Sequence, residues 1–320
     1  MRKSIIIGSR GSRLALIQAE SVLAQLREAN PHLEFSLSKI ATEGDRNRHL
    51  SLDRMAGVGV FVKELEAALL EGRIDLAVHS LKDLPTEVPE GLYLAAATER
   101  LDPRDILIST SGRLAELAPG SRIGTGSIRR AAQLIAYRPD LEVCSIRGNV
   151  DTRLRKVSSG EVDGVILAAA ALLRLGWEHR ITEHLPLEHF LPAAGQGALG
   201  IEIRANDEEI AELVSPLHHQ PTWQSVVAER TFLSALGGGC RAPIAVLGTV
   251  DDSTLKLTGM VADAGGKGVL RASGEGSATT PEQVGIRLAR KILEMGASKF
   301  IAEARTREQG KGIPSRSRAG

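Results

Sequence analysis

The stretch "IIIGSRGSRLALIQ" at residues 5–18 decides the fold that the sequence predicts. Residues 4–7 indicate a short buried strand, "GSRGS" indicates a turn, and residues 13–29 indicate a helix with its apolar side chains at helical spacing. The pattern recurs at residues 121–134, "SRIGTGSIRRAAQL", where a strand again leads through a glycine turn into a helix. Strands that alternate with helices in this way indicate an α/β fold with largely parallel sheets.

A second pair of similar segments follows in the same order along the chain. "EGRIDLAVHS" at residues 71–80 resembles "SGEVDGVILA" at residues 159–168. Two matched pairs predict two similar lobes, with the chain crossing between them near residues 98–105 and returning near residues 191–202. Lobes joined by two such segments enclose a cleft that can open and close.

After about residue 222 the pattern of the chain changes. It predicts a helix, three strands with tight turns near residues 251–252 and 265–266, and a last helix that begins at Pro281 after the N-cap Thr280. This pattern is typical of a small α+β domain. The predicted limits are 1–99 plus 200–220 for lobe 1, 100–199 for lobe 2, 221–304 for the third domain and 305–320 for a disordered tail.

The composition narrows the classes of function. The chain has 320 residues, a formal net charge of +1, 3% aromatic residues and two cysteines. A near-neutral charge argues against a general nucleic-acid binder, and two cysteines argue against a disulfide framework. No stretch reaches 18 apolar residues, and Ser9 and Arg10 interrupt the first apolar patch too early for a secretory signal. We therefore expect a cytoplasmic protein without a nucleic-acid or membrane partner; that it is a monomer is a separate expectation, which the composition does not decide.

Arginines at the starts of helices are the first candidates for a binding site. Arg10 and Ser12 in the first lobe, and Ser127, Arg129 and Arg130 in the second, lie where a strand turns into a helix. Free backbone N–H groups and the helix dipole attract anions there, and a guanidinium pairs with a carboxylate or phosphate through two hydrogen bonds. A solvated basic face is the alternative, but the same arrangement in both lobes favours a site for a polyanion.

The segment "HSLKDLP" at residues 79–85 is the second candidate. It places His79, Ser80, Lys82 and Asp83 where a strand ends, and such ends face the cleft of an α/β lobe. A carboxylate there stabilises a developing cation or transfers a proton, but a helix cap or a loop salt bridge explains it equally well. His79 and Asp83 have no third ligand in the sequence pattern, so we expect no metal site.

The two cysteines differ in their surroundings. Cys144 lies within a predicted strand among apolar residues, which is typical of a small core residue. Cys240 follows three glycines in "GGGCRAP" at residues 237–243 and adjoins Arg241, which favours the thiolate. Two roles stay open for Cys240: a residue packed within the loop, or a nucleophile.

Several stretches together resemble the hydroxymethylbilane synthase family, also called the porphobilinogen deaminases, of tetrapyrrole biosynthesis. They are "GSRGSRLAL", "GVFVKELEAALLEGRIDLAVHSLKDLP", "ERLDPRD", "GTGSIRRAAQL", "RPDL", "SIRGNVDTRL", "LPAAGQGALGIE" and "GGGCRAPI", and the resemblance covers about residues 5–304. It implies two lobes related to type II periplasmic binding proteins. It also implies a third domain that presents a covalently attached cofactor on a loop.

The resemblance further implies the reaction of a transferase. Four porphobilinogen molecules would be joined head to tail with loss of ammonia, and water would release the linear tetrapyrrole hydroxymethylbilane. A dipyrromethane primer would be attached to Cys240 through a thioether that persists while the product is hydrolysed away. Each pyrrole carries an acetate and a propionate, so the growing chain is a polyanion of the kind that arginines bind.

The residues that match the family's site have three roles. Asp83 would be the catalytic carboxylate, because it would hold the pyrrole N–H groups and stabilise the azafulvenium-like cation that forms as ammonia leaves. The residues that would bind the cofactor are Cys240, Lys82, Asp83, Ser127, Arg129, Arg130, Arg147 and Gly148. Those that would bind the substrate are Arg10, Ser12, Arg147, Arg153, Arg174 and Gln196.

Two positions depart from the family's pattern. Val58 stands where the family has a lysine that is thought to contact substrate or gate the cleft, so that role does not carry over. Gly126 replaces the first of two serines before the arginines, which removes one hydroxyl group.

An enzyme weakened by Val58 is one alternative function. A two-lobed receptor or sensor of small carboxylates is the other, although it would leave "GGGC" and the third domain unexplained.

Overall fold

A computed structural model describes residues 2–41, 62–237, 242–263 and 265–309, the last five of them by their backbone alone. The strands are β1 (Ser4–Arg10), β2 (Glu34–Ile40), β3 (Leu76–Ser80), β4 (Leu92–Ala97), β5 (Asp105–Ser109), β6 (Arg122–Gly124), β7 (Glu142–Cys144), β8 (Gly164–Ala168), β9 (Glu183–His184), β10 (Leu199–Arg204), β11 (Ile244–Asp251), β12 (Thr254–Ala262) and β13 (Val269–Ser277). The helices are α1 (Arg13–Ala29), α2 (Lys63–Leu70), α3 (Ile128–Tyr137), α4 (Val150–Ser158), α5 (Ala169–Leu175), α6 (Glu208–Val214), α7 (Gln220–Ala235), α8 (Pro281–Ile292) and α9 (Ser298–Gln309). None of the helices within these ranges is long and apolar enough to cross a membrane.

The first two sheets have the same topology. Lobe 1 has the strand order β2-β1-β3-β10-β4, and lobe 2 has the order β7-β6-β8-β5-β9. In each sheet the strand in fourth position is antiparallel to both of its neighbours, while the pairs on the other side are parallel. That antiparallel strand is the first one after a crossing between lobes, β5 on the way out and β10 on the return. The prediction of an α/β fold with two similar lobes is therefore confirmed, while the exact domain limits stay a prediction.

Local structure at the first strand differs from the prediction in one respect. Helix α1 spans residues 13–29 as expected, but β1 continues through "GSR" to Arg10 instead of turning at Gly8. The prediction of a turn was wrong because strand pairing uses backbone groups, and these residues pair with Ser38 to Ile40 of β2. Ser9 is fully buried there, and its hydroxyl donates to the carbonyl of Ala15 at 3.0 Å, so a polar residue fits the interior.

The third domain is a sheet covered on both faces. Strands β11, β12 and β13 form an antiparallel sheet, and residues on it alternate between its two sides. Ile244 and Val246 pack towards helices α7 and α8, whereas Ala245 and Leu247 pack against Ala132 and Leu191 of lobe 2. Helix α8 begins at Pro281 as predicted; Thr280 holds the N-cap position, but its side chain makes no capping bond. The predicted small α+β domain is confirmed, and it rests directly on lobe 2.

A buried glutamate of α7 joins the third domain to both segments that cross between the lobes. Glu229 is 0% exposed and accepts two hydrogen bonds from Arg100 of the outgoing segment, at 2.7 and 2.8 Å. It also accepts from the backbone N–H of Gly195 on the return segment and from that of Gly248 on β11, each at 2.7 Å. One carboxylate therefore fixes three parts of the chain relative to one another.

The lobes also touch at the start of α1. Arg13 places Nη1 3.5 Å from Oδ1 of Asp151 in lobe 2, and its Cζ lies 4.9 Å from the ring centre of Trp177. Arg180 lies over the same ring at 5.0 Å, so the indole of Trp177 is in contact with a guanidinium from each lobe. This seam between Arg13 and Trp177 is therefore a second contact between the lobes, in addition to the hydrogen bonds around Glu229.

Removal of the Glu229 carboxylate should strongly destabilise the protein. In Glu229→Ala the charge of Arg100 loses its buried partner and two backbone N–H groups lose their acceptor, so we expect a loss of about 3 to 5 kcal/mol in the free energy of unfolding. Urea denaturation measures this change. Glu303→Ala, which removes an exposed carboxylate from α9 of the same domain, is the control and should leave the urea midpoint unchanged. Equal midpoints for the two variants would contradict the joining role of Glu229.

Candidate active site between the lobes

A short turn at the end of β3 carries the predicted catalytic carboxylate. This turn, Leu81–Asp83, is a single 3₁₀ turn, which we call the 81–83 turn. The N–H of Leu81 donates to the carbonyl of Ala198 on the return segment at 3.1 Å. Arg230 of α7 donates to the carbonyls of residues 84, 85 and 86, which immediately follow the turn. The turn is thus held from two sides, and Asp83 is left exposed at its end.

Serines cap a helix in each lobe at matching places. Oγ of Ser12 accepts from the N–H of Ala15 at 3.3 Å, and Oγ of Ser127 accepts from the N–H of Arg130 at 3.4 Å. A capping hydroxyl accepts through its oxygen and keeps its hydrogen for an external acceptor. Arg10 is half-buried at the end of β1, two residues before the first cap. A strand that leads into a serine-capped helix is therefore present in both lobes, although in lobe 1 the strand runs further than predicted, to Arg10.

Two adjacent arginines of α3, which we call the arginine pair, converge on one carboxylate. Arg129 and Arg130 are each 6% exposed, and Asp105 at the start of β5 is 0% exposed. Oδ2 of Asp105 accepts from Nη1 of Arg129 at 2.6 Å, and its Oδ1 accepts from Nε and Nη2 of Arg130 at 3.0 and 2.8 Å. Burial alone would raise the pKa of Asp105, but the two guanidinium groups outweigh it and hold that pKa well below its usual range.

Gln196 connects this cluster to the opposite lobe. The residue is 1% exposed, and its Nε2 donates to Oδ1 of Asp105 at 2.9 Å and to the carbonyl of Pro103 at 2.6 Å. Its Oε1 accepts from Nζ of Lys82 at 3.3 Å. Loss of solvation around the ammonium, together with the nearby charge of Arg130, lowers the pKa of Lys82 to about 8, although Asp83 and Asp105 act in the opposite direction.

A loop of lobe 2 brings two further arginines to the same place. Gly148 has a φ of +103°, and a Cβ there would lie 2.7 Å from the side chain of Thr152, so only glycine fits. Its carbonyl accepts from Nε of Arg153 at 2.9 Å. Burial and the charges of Arg130 and Arg147 lower the pKa of Arg153 to about 10, and Asp83 opposes that change. Asp83 in lobe 1 therefore faces the cations of lobe 2.

The glycine that replaces a family serine has a structural reason in this chain. A Cβ on Gly126 would lie 2.8 Å from the carbonyl oxygen of Ile146, because the turn before α3 approaches the 146–149 loop closely. A serine would require one of these two segments to move.

Arg174 approaches the site from the last turn of α5. Its Nη2 donates to the carbonyl of Gly197 at 2.8 Å, and burial lowers its pKa to about 10. A single carbonyl leaves most of the donors of this guanidinium for other partners.

The structure separates the residues of "HSLKDLP" into two sets. Lys82 and Asp83 reach the site, whereas His79 is 4% exposed and lies inside lobe 1 with Nε2 2.9 Å from Oε2 of Glu202. Ser80 exchanges hydrogen bonds with Gln18 at 2.8 and 3.0 Å. The expectation that His79 faces the cleft was therefore wrong, since alternate residues of a central strand point into the two layers that cover the sheet, whereas that for Ser80, which is half-buried, stays a prediction.

Of the two cysteines, Cys144 is the one that lies within the described residues. Cys144 is half-buried at the end of β7 and packs against the core of lobe 2, in keeping with its interpretation as a small core residue. Burial raises the pKa of its thiol. Cys240 and Val58 lie outside the described residues, so their predicted roles stay predictions.

Sequence reasoning did not assign a role to the two buried carboxylates that organise the site, Asp105 and Glu229. Asp105 lies within "ERLDPRD", and Glu229 lies within "VVAERTFL". The apolar residues on either side of "ER" are the one local signal that Glu229 is buried, because acidic residues are rarely buried without a partner. Its partner is invisible in sequence, because Arg100 is 129 residues away.

Comparisons with known proteins match nearly the whole chain. A family model described as "Porphobilinogen deaminase, dipyromethane cofactor binding domain" matches residues 5–212, and one described as "Porphobilinogen deaminase, C-terminal domain" matches residues 223–294. The porphobilinogen deaminase of Desulforudis audaxviator is 49% identical over 95% of this chain and 99% of its own length. That of Pelotomaculum thermopropionicum is 45% identical over 97% of this chain and 99% of its own length. A probable amino-acid ABC transporter extracellular-binding protein from Bacillus subtilis is 12% identical over 68% of this chain and 90% of its own, with a TM-score of 0.40.

The low pKa of Lys82 can be measured directly. After reductive methylation with ¹³C-formaldehyde of Cys240→Ser, which lacks the cysteine to which the resemblance attaches the cofactor, the signal that a further Lys82→Gln change removes should titrate near pH 8, because burial and Arg130 disfavour the charged ammonium. The charged fraction should therefore fall as the pH rises through 8. The other lysine signals of the same sample are the internal reference. A Lys82 signal that titrates at the ordinary value of 10.5 would contradict the described surroundings of its ammonium.

Proposed function

The chain belongs to the porphobilinogen deaminase family, and from that premise we propose which of its residues carry out the reaction. The protein is a transferase that carries a dipyrromethane cofactor and acts on porphobilinogen. Membership of this family decides against a receptor of small carboxylates. The observation that carries the assignment of roles is the convergence of Lys82 and Asp83 from lobe 1 with Arg130 and Arg153 from lobe 2.

The groups at the site fit a dipyrromethane. Such a group has acidic side arms and pyrrole N–H donors, so it needs several cations and at least one carboxylate acceptor. The cations are supplied by Lys82, Arg130, Arg147 and Arg153, and the exposed acceptor by Asp83. When bound, the dipyrromethane supplies the terminal pyrrole carbon to which the first substrate unit is joined.

We assign the electrostatic part of the chemistry to Asp83. A carboxylate that accepts from a pyrrole N–H lies next to the carbon that becomes cationic as ammonia departs from the substrate. Its negative charge stabilises that cation most strongly where water is excluded, and a fixed group needs no rearrangement when the charge develops. The hydrogen bonds of Leu81 and Arg230 hold the backbone around Asp83 and so support this role.

We assign orientation of the acidic side arms to the surrounding cations and hydroxyls. The cofactor side is formed by Lys82, Ser127, Arg129, Arg130, Arg147 and Gly148, and the substrate side by Arg10, Ser12, Arg147, Arg153, Arg174 and Gln196. The support differs from residue to residue. Arg153 and Arg174 each make only one described hydrogen bond to a carbonyl, whereas Arg129 is largely occupied by Asp105 and the carbonyl of Leu191.

We propose that Cys240 is a permanent anchor, joined to the dipyrromethane through a thioether. The third domain supports this role, since Glu229 and Arg230 fix it to both crossing segments and to the residues after the 81–83 turn. A domain held in this way is a fixed base for a permanently attached primer.

We further propose that the enzyme works as a monomer in the cytoplasm. All the assigned residues belong to one chain, and the near-neutral net charge of +1 does not favour nucleic acid as a partner.

Intact mass spectrometry tests the anchor. Wild-type protein from a host that makes porphobilinogen should be heavier than its sequence by two pyrrole units, because the thioether survives purification. Cys240→Ser should have its sequence mass, and Cys144→Ser should keep the adduct. An unmodified wild type would contradict both the anchor and the cofactor.

Replacement of Asp83 tests the catalytic carboxylate. Asp83→Ala should keep the unfolding midpoint of the wild type, because the side chain is exposed, but turnover should fall about 10²-fold or more. Initial rates of porphobilinogen consumption in protein with a full adduct measure this loss. Glu87→Ala removes another exposed carboxylate four residues away and should keep the wild-type rate. An Asp83→Ala rate equal to the control would remove Asp83 from the chemistry.

A further inference from the structure

The carboxylate of Asp105 carries more hydrogen bonds than its burial requires. Its Oδ1 accepts from Nη2 of Arg129 at 3.3 Å, in addition to the two bonds from Arg130 and the one from Gln196, and its Oδ2 accepts from Nη1 of Arg129. Five N–H donors on three side chains therefore share one fully buried carboxylate. A single pair with one arginine would have been enough to compensate the charge.

These donors come from two different elements, which also meet where Arg129 and Gln133 donate to the carbonyl of Leu191 and where Nη2 of Arg130 donates to Oε1 of Gln196 at 3.4 Å. The arginine pair lies on α3 of lobe 2, and Gln196 lies on the return segment between the lobes. Gln196 in turn accepts from Lys82, which is part of the 81–83 turn of lobe 1. A continuous path of hydrogen bonds thus runs from lobe 2 through Asp105 and Gln196 to the residue next to Asp83.

We propose that Asp105 is a positioning residue that aligns the arginine pair of lobe 2 with the 81–83 turn of lobe 1. This inference rests on the proposed function, since it takes those groups to be the ones that bind the cofactor and stabilise the cation. Asp105 does not touch the substrate in this role, because its carboxylate is fully buried behind the arginines. It acts by fixing the directions in which their remaining donors point.

The geometry explains why an amide cannot replace this carboxylate. In Asp105→Asn one oxygen becomes an NH₂ group, which would face either Nη1 of Arg129 or the donors of Arg130 and Gln196. Donor then meets donor, and at least one guanidinium must turn away. A displacement of about 1 Å in a group that orients a substrate can lower the rate about 10²-fold.

Asp102 provides the control for Asp105→Asn, because it lies in the same segment of the chain. Asp102 lies three residues before Asp105 and pairs with Arg104 at 2.7 Å, outside the path that leads to Gln196. Asp102→Asn removes the same charge from the same segment and leaves the arginine pair as it is.

Three measurements on Asp105→Asn, Asp102→Asn and wild type test the proposal. Intact mass gives the fraction with the two-pyrrole adduct, steady-state rates per adduct give kcat and KM, and the ¹³C signal of Lys82 gives its pKa. We expect kcat/KM per adduct of Asp105→Asn to fall about 10²-fold, with kcat itself lower by at least about tenfold. The pKa of Lys82, measured with each change placed in the adduct-free Cys240→Ser background, should fall below 8 in Asp105→Asn, because Asp105 favours the charged form of Lys82. Asp102→Asn should match the wild type in both.

The outcomes separate the possible failures. A lower unfolding midpoint of Asp105→Asn with wild-type kcat/KM and an unchanged Lys82 pKa would reduce Asp105 to a structural residue and overturn the proposal. A wild type without adduct or turnover would instead overturn the proposed function. If Asp105→Asn does not accumulate as folded protein, Gln196→Leu cuts the path at its other end and leaves the buried charges paired. That variant should also lower kcat/KM by more than tenfold and shift the Lys82 signal, and wild-type values for both would overturn the proposal.

Discussion

The arrangement of the three domains depends on one buried carboxylate, that of Glu229. A charge out of contact with water must be compensated by close donors, and Glu229 takes four from three different parts of the chain. Both segments that cross between the lobes meet there, together with the first strand of the third domain. The relative position of lobes and third domain is therefore a consequence of electrostatics as much as of apolar packing.

Asp105 has the corresponding task inside the site. The region between the lobes has an excess of cations, and burial of several guanidinium groups is unfavourable without counter-charge. Asp105 compensates part of this charge permanently, and the remainder is left for acidic side arms of cofactor and substrate. Burial lowers the pKa of both Arg153 and Arg174 to about 10, and for Arg153 the nearby charges of Arg130 and Arg147 act in the same direction. The site therefore favours a polyanion, because the protein itself supplies more positive than negative charge there.

The sequence pattern predicted the architecture well and the site only in part. Periodicity and two matched pairs of segments located α1, the antiparallel hairpins of the third domain and both crossings between lobes, because these are local signals that repeat. The end of β1 and the direction of His79 were missed, since they depend on which strand lies alongside. Asp83, Lys82 and the arginines were assigned through a resemblance to a family. Asp105 and Glu229 were not, because a buried ion pair is defined by a partner far away in sequence, whose distance no spacing rule encodes.

The seam between the lobes gives the protein an optical signal of its own. The chain has two tryptophans, and only one of them lies between lobes. Trp177 is stacked by Arg13 of lobe 1 and by Arg180 of its own lobe, whereas Trp223 lies on α7 with the ring of His218 5.1 Å away. Separation of the lobes removes one of the two cations over the indole of Trp177 and admits water in its place. The emission of that indole therefore responds to lobe opening without any added label.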